Sequence, residues 1–202
     1  MTTRIAAYAT TALAVLSLAC LGQTPPQAPT QTPRGQAPLA IPNPHYVSLV
    51  LEVDVARPAA EVWKRVGKYC DIGEWMRLAS CTILSGKDGE LGAVRSIGNE
   101  VLVGKTELSY TYTQPVREGR PYNLYHGTLE ARPVSATTSK LIYSLIWDNS
   151  MLADDAAREM DVANRKRTFS NVLDNMKILA EGGALPPAPA RGAGRGPVPP
   201  GK

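Results

Sequence analysis

From about Leu152 to Glu181 the apolar positions stop alternating. They recur instead at intervals of three and four: Phe169, Val172, Leu173, Met176, Leu179 and Ala180. That spacing lays one apolar stripe along a helix of up to 30 residues, ended by Gly182-Gly183. A stripe of this length needs an apolar surface to cover it. Only a sheet built from the preceding residues is large enough.

Those residues supply one. "HYVSLVLEVDVA" (45–56) alternates, with Val47, Leu49, Leu51, Val53 and Val55 on one face, and reads as a strand. "RPAAEVWKRVGKY" then turns helical, with Pro58 suited to the first turn and Gly67 to the stop. A second short turn covers Ile72 to Met76. About six strands follow: "LASCTILSG", "AVRSIG", "EVLVG", "ELSYTYTQP", "YNLYHGTLEARPV" and "SKLIYSLIWDN". Gly98-Asn99 marks a tight hairpin between the second and third of these. The predicted fold is α+β: a curved antiparallel sheet of six or seven strands wrapped around a long C-terminal helix, with two short helices after the first strand. A cavity remains between helix and sheet unless large side chains fill it, and the chain has one Phe.

The flanks read differently. Arg4 and the apolar run 5–21 make residues 1–22 a secretory signal, since the run is shorter than the ~20 residues of a spanning helix. "SLAC" admits two cleavages: ordinary processing after Ala19, or a lipoprotein box acylated at Cys20. Residues 23–44 are a Pro/Gln-rich linker, and 182–202 a Pro/Gly/Ala-rich tail expected to be disordered. The globular domain is 45–181. An exported protein of the periplasm or cell envelope is expected, touching a membrane only through an N-terminal lipid.

The net charge of +4 belongs to the flanks, because 45–181 holds 17 basic and 18 acidic residues. No basic face points to nucleic acid. "NRKRTF" (164–169) reads as a solvated helix face, and Asp154, Asp155, Glu159 and Asp161 as acids complementing the helix dipole.

In order along the chain, "VDVARPAAEVWKRVGKYCDIGEW", "GAVRSIG" with Glu100, and "LSYTYTQP" resemble the first strand and helix, the Gly-x-x-Arg strand and the Ser-Tyr-x-Tyr strand of one superfamily. This is the START and birch-pollen-allergen, or SRPBCC, superfamily with its helix-grip fold. The polyketide cyclase/dehydrase-like branch is the closer match, over about Tyr46 to Glu181. Arg77 stands where that family commonly has proline. The resemblance implies a cavity under the long helix for a small hydrophobic or amphipathic molecule: a lipid, quinone, terpenoid or polyketide-like compound. It leaves open whether the ligand is only bound or is transformed by a cyclase/dehydratase-type enzyme.

The candidate ligand-binding residues are Trp75, Arg95, Glu100, Tyr110, Tyr112, Tyr125, Tyr143 and Trp147. The aromatic ones are either core packing or a cavity lining with hydroxyl handles. The hairpin puts Arg95 and Glu100 within reach of each other or of the pocket, either as a structural or exposed pair or as charges orienting a polar head. His126 has the opposite parity to Tyr125, so one of the two faces away from the cavity. No catalytic set, metal-ligand spacing or cofactor motif is identifiable. Three functions stay open: a ligand-binding protein, a cyclase-type enzyme, and an interaction protein whose core is filled.

Cys70 and Cys81 bracket Trp75 in "GKYCDIGEWMRLASC". Outside the cytoplasm thiols tend to oxidise. With Cys20 assigned to the signal or the lipid, the domain holds two cysteines, 11 positions apart. A disulfide fits better than a Cys-x-x-Cys redox pair or a metal site; two free buried thiols are the alternative. The staple should contribute roughly 2.5–3 kcal/mol and hold Trp75 near the cavity mouth.

Overall fold

A computed structural model describes residues 43–187. The expected signal segment, Cys20, most of the expected linker and the tail beyond residue 187 lie outside these residues. The elements run β1 (Tyr46–Val55), α1 (Ala59–Val66), α2 (Ile72–Trp75), β2 (Ile83–Ser85), β3 (Val94–Arg95), β4 (Glu100–Lys105), β5 (Ser109–Thr113), β6 (Asn123–Pro133), β7 (Ser139–Asp148) and α3 (Asp155–Ala180). One seven-stranded antiparallel sheet has the order β1-β7-β6-β5-β4-β3-β2. The meander from β2 to β7 is thus closed by β1 beside β7, with Leu49 opposite Leu145 and Leu51 opposite Tyr143.

Local chemistry sets the boundaries. Gly98 (φ 61°) and Asn99 (φ 54°) form the left-handed pair of the β3–β4 hairpin, and the Glu100 amide donates to the Ile97 carbonyl (3.1 Å). Asp154 caps α3 by accepting from the Ala157 amide (2.8 Å). Gly182 (φ 89°) ends it, with Gly182 N donating to Leu179 O and Gly183 N to Ile178 O. That is a Schellman closure, as the Gly-Gly pair suggests. The expected second strand shrinks to three residues, because 78–82 instead wraps α2 and leads into Cys81.

Phe169, Val172, Leu173, Met176 and Leu179 of α3 are buried against the sheet. Each such side chain contributes about 1.5–3 kcal/mol of burial. None of the residues from Asp155 to Thr168 is fully buried. Asp161, which was expected to serve the helix dipole, accepts from Trp147 Nε1 (2.7 Å) and pairs with Arg165 (3.1 Å). Residues 182–187 stay on the domain past the expected boundary: Leu185 packs at the core margin, and Arg77 Nη1 donates to the Pro186 carbonyl (2.6 Å).

Gly127 in β6 lies opposite Tyr112 in β5. A Cβ there would come 2.5 Å from the Tyr112 Cζ and hydroxyl. The ring therefore lies flat over the strand and reaches the Tyr143 hydroxyl at 2.8 Å. Gly127→Ala is expected to displace the ring and lower stability by about 1–3 kcal/mol, read as a fall in the urea midpoint. An unchanged midpoint would show that the ring can move aside freely.

Candidate functional site

A cavity of about 470 Å³ opens between the end of α1 and the β4–β5 hairpin. Trp63 and Tyr69 form one wall, and Leu102 and Tyr110 the other. The Trp63 and Tyr110 rings are 5.6 Å apart, and Tyr69 meets Tyr110 edge-on at 5.4 Å. Lys64, Lys68 and Lys105 stand at the rim with Asp88 and Glu107.

Two sequence features shape this wall. Gly67 ends α1 in a right-handed conformation (φ −96°), so freedom at positive φ is not its use. A Cβ at Gly67 would sit 2.3 Å from the Trp63 ring, so glycine lets the indole fold over the helix end. The Cys70–Cys81 disulfide forms, with a Cα separation of 5.4 Å. It fixes the residue after Tyr69 to the segment leading into β2.

Behind the wall lies a buried polar group. Arg95 is 0% exposed; its Nε donates to Glu100 Oε2 (2.6 Å) and its Nη1 to the Tyr69 carbonyl (2.5 Å). Its guanidinium stacks on the Tyr69 ring (4.2 Å) and the Tyr112 ring (4.7 Å). Glu100 Oε1 accepts from Gln114 Nε2 (2.7 Å), and the Tyr122 hydroxyl donates to Gln114 Oε1 (2.8 Å). Burial pushes the Glu100 carboxyl up, and the Arg95 charge and the Gln114 hydrogen bond oppose it. The Tyr69 and Tyr110 hydroxyls are buried without a hydrogen-bond partner, and Arg95 Nη2 has only its ion-pair contact with Glu100 Oε2 (2.5 Å). Burial also raises both tyrosine hydroxyls above their ordinary range. They are therefore proton-bearing donors at neutral pH rather than bases.

Of the eight ligand-binding candidates, Tyr110 alone lines this cavity. Arg95 and Glu100 stand one layer deeper. Tyr112 and Tyr143 spend their hydroxyls on each other, and Tyr125 packs between Tyr112 (6.1 Å) and Tyr122 (5.5 Å). Trp147 gives its Nε1–H to Asp161 and lies 4.7 Å from the Arg165 guanidinium. Trp75 was expected at the cavity mouth, but it is fully buried in the core. Its ring meets Tyr143 at 6.4 Å and its Nε1 donates to the Val66 carbonyl (3.3 Å). The disulfide holds α2 against the core, so the indole points inward. Much of the space expected under α3 is thus occupied by Trp75, Tyr112, Tyr143, Trp147 and Phe169.

Nothing in the sequence singles out Trp63, Tyr69 and Leu102 as a site. Trp63 belongs to the apolar stripe of α1 and Tyr69 falls between elements. The one usable signal was Gly67 four residues after Trp63. His126 is exposed and Tyr125 buried, as opposite parity requires.

No family model and no curated protein matches this chain. Solved structures do. A protein from Thermobifida fusca, determined in solution, is 24% identical, with a TM-score of 0.55 over 66% of this chain and 92% of its own. The Zhui aromatase/cyclase from a Streptomyces species is 20% identical, with a TM-score of 0.52 over 69% of this chain and all of its own. A truncated norcoclaurine synthase from Thalictrum flavum is 11% identical, with a TM-score of 0.51 over 68% and 94%.

Proposed function

We infer that this chain, which shares the helix-grip fold of those solved structures, belongs to the SRPBCC superfamily its sequence resembles. We propose that the protein is an exported binding protein that holds a small amphipathic molecule in the α1/β4–β5 cavity without transforming it. The observation that carries this reading is the aromatic wall of Trp63, Tyr69 and Tyr110 on the cavity, with the Tyr69 and Tyr110 hydroxyls buried just behind it without a partner. Buried hydroxyls are normally hydrogen-bonded, and a small rotation of the two rings toward the cavity would let a ligand acceptor supply the missing partner. The cavity volume is in the range of small-molecule sites. The apolar body of the ligand would lie on Trp63 and Leu102, with a carbonyl or hydroxyl oxygen at the two tyrosines. Export is supported by the signal-like N-terminus and by a disulfide suited to an oxidising compartment.

A cyclase-type reaction would draw on the same two hydroxyls as proton donors. Burial makes both hydroxyls hold their protons more tightly, so each is a poor general acid, while it can still donate a hydrogen bond. Binding alone is therefore the favoured reading.

The naphthyl ketone probe prodan tests it. Saturable one-site binding is expected. Tyr69→Phe/Tyr110→Phe should weaken binding about tenfold, through two lost neutral hydrogen bonds. The same variant should keep or raise its urea midpoint, because two unsatisfied hydroxyls are removed. Absence of saturable binding, or binding indifferent to both substitutions, would sink the proposal.

A further inference from the structure

We propose that the cavity selects an anionic amphiphile, a carboxylate or phosphate monoester, held with its charged head at the lysine rim and its apolar body inward. The inference rests on the reading of the cavity as a binding site. Its source is the distribution of charge around the cavity.

The interior has no free charge to offer. Arg95, the one cation behind the wall, is already matched by Glu100 at 2.5 Å, and between it and the cavity stand only the neutral side chains of Tyr69 and Tyr110. An anion pushed to that depth would be desolvated close to the Glu100 carboxylate. The mouth differs. Lys64 and Lys68, four residues apart at the end of α1, are exposed and make no ion pair among the described residues. Nearby Arg65 and Lys87 are matched by Glu74 and Glu90. Lys105 reaches across the mouth to donate to the Gly89 carbonyl (2.6 Å), a neutral partner that leaves its charge uncompensated. Against these three ammonium groups stand Asp88 and Glu107 in the lining, an excess of one positive charge, with Asp71 beside Lys68 just outside it.

The geometry then assigns two ends. An ammonium keeps its hydration at an exposed rim and gains from a nearby anion. The aromatic walls lie further in, around Tyr110, and favour the tail. A neutral amphiphile would gain only the inner half of these contacts.

Displacement of prodan from the full chain by decanoate, decyl phosphate, 1-decanol and decyltrimethylammonium separates the possibilities. The two anions are expected to compete about five- to tenfold more strongly than decanol, the scale of two or three exposed charge contacts. That advantage should fade in about 0.5 M salt, where exposed charges are screened. Lys64→Gln/Lys68→Gln should bring the anion-to-alcohol ratio close to one, and Lys64→Arg/Lys68→Arg should preserve it. A preference for decyl phosphate over decanoate would assign a phosphate-bearing lipid source, and the reverse a free acid. Equal competition by decanol, tighter competition by the cation, or a ratio unchanged in the Gln variant would overturn the charge assignment while leaving the cavity reading intact. Failure of prodan itself to bind removes both.

Discussion

Arg95→Met should lower the stability of the domain by about 3–5 kcal/mol, the loss typical of breaking one half of a buried ion pair. Arg95 is 0% exposed and Glu100 is 3% exposed, so the substitution leaves a carboxylate inside the core with only Gln114 beside it. The Tyr69 carbonyl also loses its donor. Urea unfolding at neutral pH measures the deficit, and a loss under about 1 kcal/mol would mean that water reaches Glu100. The pH dependence provides a second check. Burial already raises the Glu100 pKa, and removing Arg95 raises it further. A carboxyl whose pKa is higher in the folded than in the unfolded state favours folding below the unfolded value. That advantage is lost as pH rises through the folded value. The deficit of the variant should therefore shrink as pH falls toward the ordinary glutamate range, near about 4.3. Arg95→Met/Glu100→Leu should recover most of the lost stability, since an apolar pair of similar volume avoids the desolvation of both charges. A double variant as unstable as the single one would show that the pair fixes the hairpin geometry. The sequence left open a role for Arg95 in orienting a ligand head. Its place behind Tyr69 and Tyr110 means that losing it disturbs the fold first.

Opening the Cys70–Cys81 disulfide is the second large perturbation. Cys70→Ser/Cys81→Ser should cost about 2.5–3 kcal/mol on the chain-entropy account, or a fall in Tm of roughly 6–12 °C for a domain of this size. The effect should extend beyond stability. The bridge fastens the residue after Tyr69 and the whole of α2, and Asn175 of α3 donates to the Trp75 carbonyl (2.9 Å). Releasing the loop loosens the Tyr69 wall, so prodan affinity should fall at temperatures where the variant is still folded. A variant that loses stability but binds unchanged would confine the bridge to a structural role. Two reactive thiols in the unfolded, unreduced domain would refute the bridge itself.

Much of the architecture was legible because it depends on short-range periodicity. Alternation in β1, β5, β6 and β7, the three–four repeat of α3, Gly98-Asn99 and Gly182-Gly183 each encode a backbone state within a few residues. Parity also required that only one of Tyr125 and His126 turns inward. The site was not legible in this way. Tyr110, Tyr112, Tyr143 and Trp147 share the inward face of one sheet, so parity cannot separate a ring that lines a cavity from a ring that fills the core. That outcome depends on what arrives from elsewhere in the chain. Gly127 lets Tyr112 lie down toward Tyr143, Asp161 takes the Trp147 indole, and the bridged loop swings Trp75 into the core. The space left over lies instead beside α1, where Gly67 folds Trp63 over the helix end. Periodicity along the chain thus determined the elements and their inward faces. Only tertiary packing, which sets how side chains distant in sequence share one volume, decided where the cavity remains.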